Sequence, residues 1–211
     1  SSSIRNKIRR NLVRGTESLG IYLAPGSDEN EVSRNRISGH FSGGIGIFLG
    51  NENDVSHNDV IDNGFEGRTI AGNGTDVSHN DVTNNREAGI RVYPSSTNTR
   101  IDRNRAKRNA VGIFVAGGDG TTISRNRLSE NLEDGMFVDA SAGNTRVERN
   151  IATLNGDDGI DVQSIETVIR RNVANHNVDL GIEAVSGVID GGRNVASGNG
   201  DPAECVEVAC R

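Results

Sequence analysis

The chain has 211 residues, 33% of them hydrophobic and 3% aromatic, with 27 glycines and a net charge of −6. Those values exclude an ordinary α/β domain, which carries more large apolar side chains, and the charge is too modest to mark a disordered chain. They leave a repeat fold whose core is a thin column of Val, Ile and Ala.

Read from the N-terminus, an Asn recurs at Asn11, Asn35, Asn58, Asn80, Asn104, Asn126, Asn150, Asn172 and Asn194, in steps of 22 to 24 residues. A second Asn follows five residues later at Asn63, Asn85, Asn109, Asn131, Asn155, Asn177 and Asn199, with Thr16 and His40 in that place in the first two units. A Gly then opens the next segment at Gly20, Gly44, Gly67, Gly89, Gly112, Gly135, Gly159 and Gly181. After it come alternating apolar pairs, such as Ile90 and Val92, Ile113 and Val115, or Ile160 and Val162. Period-two alternation of β-branched residues marks strands, and 22–24 residues make one turn of a stacked solenoid. The spacing predicts an all-β chain, a right-handed parallel β-helix of about nine coils, roughly 40 Å long at about 4.8 Å per coil. Left-handed backbone at the turns is expected on the Asn columns, whose amides stack along the axis. The Gly column is expected to supply positive φ or room for backbone approach.

The coils are predicted over 1–197 and a C-terminal cap over 198–211. The cap carries Cys205 and Cys210, read either as a local disulfide of an exported protein or as two free thiols. No cap is recognisable at the N-terminal end, which suggests a truncation at Ser1 or a partner chain or domain covering that end. There is no apolar run long enough to span a membrane, and an acidic chain without an aromatic-interleaved basic patch argues against nucleic acid.

Function should be written on outward positions, which packing leaves free. After the Gly, the first outward column reads Tyr22, Gly46, Thr69, Arg91, Phe114, Phe137, Asp161 and Glu183. The second reads Ala24, Phe48, Ala71, Tyr93, Ala116, Asp139, Gln163 and Val185. Five of the seven aromatics (Tyr22, Phe48, Tyr93, Phe114, Phe137) fall here. They either stack against sugar rings, with Asp161 and Glu183 as polar partners, or simply stack on one another. Carboxylates crowd the C-terminal half: Glu133, Asp134, Asp139, Asp157, Asp158, Asp161, Asp179 and Glu183. They read as a hard-cation site for Ca²⁺, best at Asp157, Asp158 and Asp161, as acid–base carboxyls, or as solvated turns. Before the first Asn stands a basic residue in every coil, from Arg10 and Arg34 through His57 and His79 to Arg193. It is a scaffold column interleaved with Asp59, Asp81, Asp102 and Glu148, or a stripe for a polyanion.

The coil from Val147 to Val162 resembles the β-helix repeats of polysaccharide lyases, alginate C5-epimerases and related bacterial surface proteins. The stretch Glu133 to Asp139 looks like the epimerase coil that carries active-site aspartates, which implies Asp134 and Asp139 as catalytic residues. The preceding epimerase coil carries a Tyr-Gly-Phe-Asp-Pro-His motif; here Val111 to Gly118 has no Tyr, Asp or His. Some lyases of this fold use Ca²⁺ and an Arg base, which would point to Arg91. The resemblance implies a secreted or cell-surface protein that binds, and as a lyase or epimerase modifies, an acidic polysaccharide such as a polyuronate. The alternative is a non-catalytic structural or adhesin solenoid.

Overall fold

The computed structural model describes residues 3–211 and contains strands and turns with no helix. Three parallel sheets run the length of the molecule. The first stacks three-residue strands from Lys7–Arg9 to the last strand, Ile189–Gly192, and the second from Leu12–Arg14 to Val195–Ser197; each has nine strands. The third runs from Leu19–Leu23 to Ile182–Ala184 and has eight. The chain is thus a parallel β-solenoid of eight complete coils, with a ninth that lacks its third strand. In place of that strand, Cys205 bridges to Ile182 and Cys210 to Asn194. The two cysteines are joined as a disulfide.

Apolar residues alternate with polar ones in most strands and hold the register from coil to coil, apart from one shift between Ile169 and Arg170 against the last strand of the first sheet. Val32, Val55, Val77, Ile101, Ile123, Val147 and Ile169 form one fully buried file, and Ile37, Val60, Val82, Ala106, Leu128, Ala152 and Ala174 a second. The third sheet adds a double file, including Ile90 with Val92 and Ile160 with Val162. A one-residue slip would turn every such file outward, so the pattern fixes the pairing.

The Asn columns are buried amide ladders. Each Nδ2 of the first ladder donates to the Oδ1 of the next coil at 2.8–3.3 Å from Asn11 to Asn194. The second ladder does the same from Asn63 to Asn199. In its second coil His40 substitutes, its Nδ1 accepting from the Thr16 backbone N–H and its Nε2 facing the Val13 carbonyl. Left-handed backbone does not fall on these asparagines. It falls on the residue before each: Arg10, Arg34, His57, His79, Arg103, Arg125, Arg149, Arg171 and Arg193 all have φ between 54° and 64°. The Asn side chain must point inward to join the ladder, so the turn's strained residue is its exposed neighbour, where any long polar side chain fits. The Gly column likewise has no positive φ; it supplies room. A Cβ at Gly112 would lie 2.3 Å from the Gly135 carbonyl oxygen, and one at Gly44 2.2 Å from the Val60 side chain.

Two polar features lie in the interior. A third turn column begins with the amides Asn6, Asn30 and Asn53 and continues as buried Thr75, Thr99, Thr121, Thr145 and Thr167. The other is Arg68, fully buried on an inward position of the third sheet between Ile45 and Ile90. Its Nη1 donates to the Val55 carbonyl at 3.2 Å, while Nε and Nη2 meet no acceptor. Burial pulls its pKa down to about 9, against the charge of Asp54.

An unpaired guanidinium among isoleucines costs more than an apolar chain of similar volume. Arg68→Met is expected to raise the calorimetric Tm by roughly 2–10 °C. A lower Tm would show that the guanidinium finds partners in solution.

Candidate functional site

The third sheet turns its second file of side chains outward, and strand register places them in one row. Tyr22 pairs with Gly46, Gly46 with Thr69, Thr69 with Arg91, and Arg91 with Phe114. Phe114 then pairs with Phe137, Phe137 with Asp161, and Asp161 with Glu183. A neighbouring row carries Phe48, Tyr93 and Asp139.

The aromatics form two groups. Tyr22 and Phe48 lie 5.4 Å apart at the N-terminal end. Further along, Phe114 and Phe137 meet edge-to-face at 5.2 Å. The Arg91 guanidinium sits over the Phe114 ring at 4.6 Å and the Tyr93 ring at 5.1 Å. It also pairs with Glu66 at 3.3 Å. This Arg is a fixed donor held between two rings, and a guanidinium has no acceptor to offer a proton.

Beyond Phe137 the row becomes acidic. Asp134 and Asp158 occupy successive turns just ahead of the Gly column, where Glu66 is the one other carboxylate and the remaining coils have Leu19, Gly43, Ala88, Val111 and Leu180. The Asp134 Oδ1 accepts the Asp158 backbone N–H at 3.1 Å, and the Asp158 Oδ1 accepts that of Leu180 at 2.7 Å. These bonds lock both carboxyls toward the sheet. Oxygens of Asp158, Asp161 and Glu183 lie within 4.8 Å of one another, as do those of Asp157, Asp158 and Asp179. The expected metal trio Asp157, Asp158 and Asp161 is therefore divided between two clusters that share Asp158. Asp158 and Asp161 are buried, Asp134 and Glu183 half-buried, and Asp157 and Asp179 exposed.

Burial sets the acidities. It pushes Asp134 up to about 7, helped by the charges of Asp161, Asp157 and Glu133. Asp161 rises to about 6 for the same reason, with Gln163 opposing through a 2.5 Å hydrogen bond and Glu183 adding to the rise. Asp158 is raised by burial, by donating to Glu183 and by the Asp134 charge. Asp139 moves the other way, because the Ser141 hydroxyl and backbone N–H both donate to it, at 2.6 and 2.9 Å. Asp134 and Asp139 thus sit in one coil in opposite environments, one poised near neutrality and one a plain carboxylate. Asp161 had been legible as a sugar or metal partner. Its crowding with other carboxylates was legible too, whereas its burial, the larger cause of the raised pKa, was not.

Three arginines of the basic column, Arg103, Arg125 and Arg149, pair with carboxylates of the scaffold. Asp102, fully buried, accepts from Arg100 at 2.9 Å, Arg103 at 3.0 Å and Arg125 at 2.7 Å. Glu148 pairs with Arg149 and Arg170, Asp59 with Arg36 and Asp81 with Arg105. His57 and His79 stack in parallel at 4.9 Å.

A family model described as a right-handed β-helix region matches residues 1–82 and 76–199. No curated protein matches the chain by sequence. Among solved structures, the A-module of a mannuronan C-5 epimerase from Azotobacter vinelandii is 15% identical with a TM-score of 0.73, over 87% of this chain and 56% of that one. A mutant form of a periplasmic alginate epimerase is 18% identical with a TM-score of 0.68, over 94% and 60%. A pectate lyase is 16% identical with a TM-score of 0.69, over 95% and 70%. At these identities the likeness is one of fold. The chain spans less than two thirds of the length of the two epimerase structures.

The sign of the pH effect follows from the raised carboxyls. Their contribution to stability is complete below the ordinary value of 3.8 and is lost as pH rises through about 6 to 7 and beyond. Asp134→Asn and Asp158→Asn keep the backbone hydrogen bonds and remove the buried charge. In chelator-treated buffer, the Tm of each variant should match wild type at pH 4 and exceed it by a widening margin up to pH 8. Parallel curves across that range would show the carboxyls to be hydrated.

Proposed function

The chain belongs to the right-handed β-helix family, and from that premise we infer that its third sheet binds an acidic polysaccharide outside the cytoplasm and works on it by lyase- or epimerase-type acid–base chemistry. The observation that carries this reading is the single row in which Arg91, Phe114 and Phe137 lead into Asp161 and Glu183, flanked by the desolvated Asp134 and Asp158. Sugar rings suit the aromatic stretch, and Tyr93 and Arg91 supply polar contacts beside it. The disulfide agrees with an extracytoplasmic location.

Removing the C5 proton of a uronate is difficult while the adjacent carboxylate keeps its full charge. A protonated carboxyl held in an apolar site can donate a hydrogen bond to that carboxylate, and pairs of carboxyls with separated acidities divide acid from base roles. Asp158, which keeps its proton, suits the donor. Asp161, ionised at neutral pH, suits the base that takes the C5 proton. Asp134, with a pKa pushed up to about 7, suits the acid that returns a proton, to C5 in epimerisation or to the O4 leaving group as the C4–O4 bond breaks in elimination. Asp139, held ionised by Ser141, serves orientation. The oxygens of Asp158, Asp161 and Glu183 also suit a hard cation such as Ca²⁺, which would neutralise the substrate carboxylate when bound.

A second reading, a non-catalytic solenoid, draws on the pairing of Arg91 with Glu66 and of the aromatics with each other, which leaves the face satisfied without a ligand.

Incubation with polymannuronate, polyguluronate and pectate, with and without Ca²⁺, separates the two. Unsaturated products or a changed epimer ratio are expected. Asp161→Asn should cut turnover at least about 100-fold with binding retained, while Phe137→Ala and Tyr93→Ala should weaken retardation in a polysaccharide affinity gel. No turnover and no retardation on any of the three polymers would overturn the reading.

A further inference from the structure

The two aromatics outside the third sheet, Phe41 and Phe65, stand at the corner between the second and third sheets, their rings 6.2 Å apart. That corner also exposes Leu132, Leu154 and Val178, and a groove of about 960 Å³ runs along it from Gly15 to Leu132. Phe41, Leu132 and Val178 are 68%, 76% and 67% exposed. Such a stripe has no role in the site already described, and isolated exposed leucines do not usually line up along an axis.

The residue following each member of the second ladder alternates in size. In coils two to nine it reads Phe41, Gly64, Arg86, Ala110, Leu132, Gly156, Val178, Gly200. Large side chains therefore project every second coil, about 9.6 Å apart, with shallow gaps between them. The small members are enforced: a Cβ at Gly64 would lie 2.1 Å from the Phe41 carbonyl oxygen, at Gly156 2.1 Å from that of Leu132, and at Gly200 1.8 Å from that of Val178.

We propose that this corner is a self-docking surface, on which a second copy of the chain lies antiparallel about a two-fold axis between coils five and six. A comb of this period mates with its own reverse. Coil two then faces coil nine, three faces eight, four faces seven and five faces six, so that Phe41 meets Gly200, Val178 meets Gly64, Arg86 meets Gly156 and Leu132 meets Ala110. The positions just before the ladder agree in polarity: Asp62 faces the His176 imidazole, and Arg108 faces Glu130 across the axis. Arg108 and Glu130 already pair within one chain at 2.8 Å, so the axis would gather two such pairs in alternating sign. The reversed match of side-chain size at four coil pairs, and of charge between Arg108 and Glu130, selects a second copy of the chain as the occupant. A strip about 10 Å wide and 40 Å long buries roughly 400 Å² per copy and about 800 Å² in all, short of the roughly 1,000 Å² of a stable interface, so the association is weak and transient.

Sedimentation equilibrium up to about 1 mM should show a monomer–dimer equilibrium. Leu132→Asp should weaken it at least about tenfold, and Arg108→Glu should weaken it also, while Asp161→Asn leaves it unchanged. Asp62→Cys and His176→Cys combined in one chain lie five coils, about 24 Å, apart and cannot join within it. Mild oxidation of that double variant should give a covalent dimer, and neither single variant should give one joined through both positions. A chain that stays monomeric at about 1 mM, including one whose corner is instead protected by an added polysaccharide, overturns the proposal. So does a dimer that the double cysteine variant fails to cross-link.

Discussion

The structure depends on the buried amide ladder. Each interior Asn of the first ladder, Asn35 to Asn172, makes at least four side-chain bonds at once. Asn126 accepts from the Asn104 backbone N–H at 2.8 Å and from its Nδ2 at 3.1 Å, and donates to the Ile101 carbonyl and the Asn150 Oδ1, both at 3.0 Å. A buried amide with every donor and acceptor filled avoids the desolvation cost that makes buried polar groups unfavourable. Because the amide-to-amide bonds join equivalent positions of successive coils, the ladder also forbids coils from slipping. The cap ends the second ladder in the same chemistry: Glu204 accepts from the Asn199 Nδ2 at 2.6 Å and its backbone N–H at 3.2 Å, standing where a further Asn would stand.

Fixed register has a consequence for the outward faces. Once the ladder sets which residue lies above which, an outward row is a readable string, one residue per coil. Nothing in the core restricts what that string says. The third sheet can therefore carry three crowded carboxyls raised by burial without disturbing the valines and isoleucines on its other side. The unfavourable burial of Asp134, Asp158 and Asp161 is borne by the long parallel sheet as a whole.

The fold was legible in the sequence because its cause is periodic. Asn, Gly and alternating β-branched residues recur at intervals that no other architecture needs. The outward rows of the third sheet were legible for the same reason, down to the pairing of Phe137 with Asp161. Three things were not. Left-handed backbone fell on Arg103 and its equivalents, since the ladder claims the Asn side chain and hands the strained angle to its neighbour. The third turn column changes from Asn53 to Thr75 and so has no single signature. Arg68 takes a core position in one coil only, and a lone exception to a pattern reads as noise until its burial is seen. The acid cluster lay between: its members were visible, but which of them are desolvated depends on depth beneath the turn.

Repetition also separates scaffold from site. The basic corner repeats Arg or His in all nine coils, and three of its arginines, Arg103, Arg125 and Arg149, are answered by Asp102 and Glu148 within the same chain. A feature identical in every coil can grip a polymer at any offset but cannot single out one sugar. Chemistry at one carbon requires a position unlike its neighbours. The third-sheet row has that property, since Tyr22, Gly46, Thr69, Arg91, Phe114, Phe137, Asp161 and Glu183 repeat only once, at the phenylalanine pair. The ladder makes the coils equivalent, and the reacting position must lie where the sequence departs from that equivalence while the backbone does not.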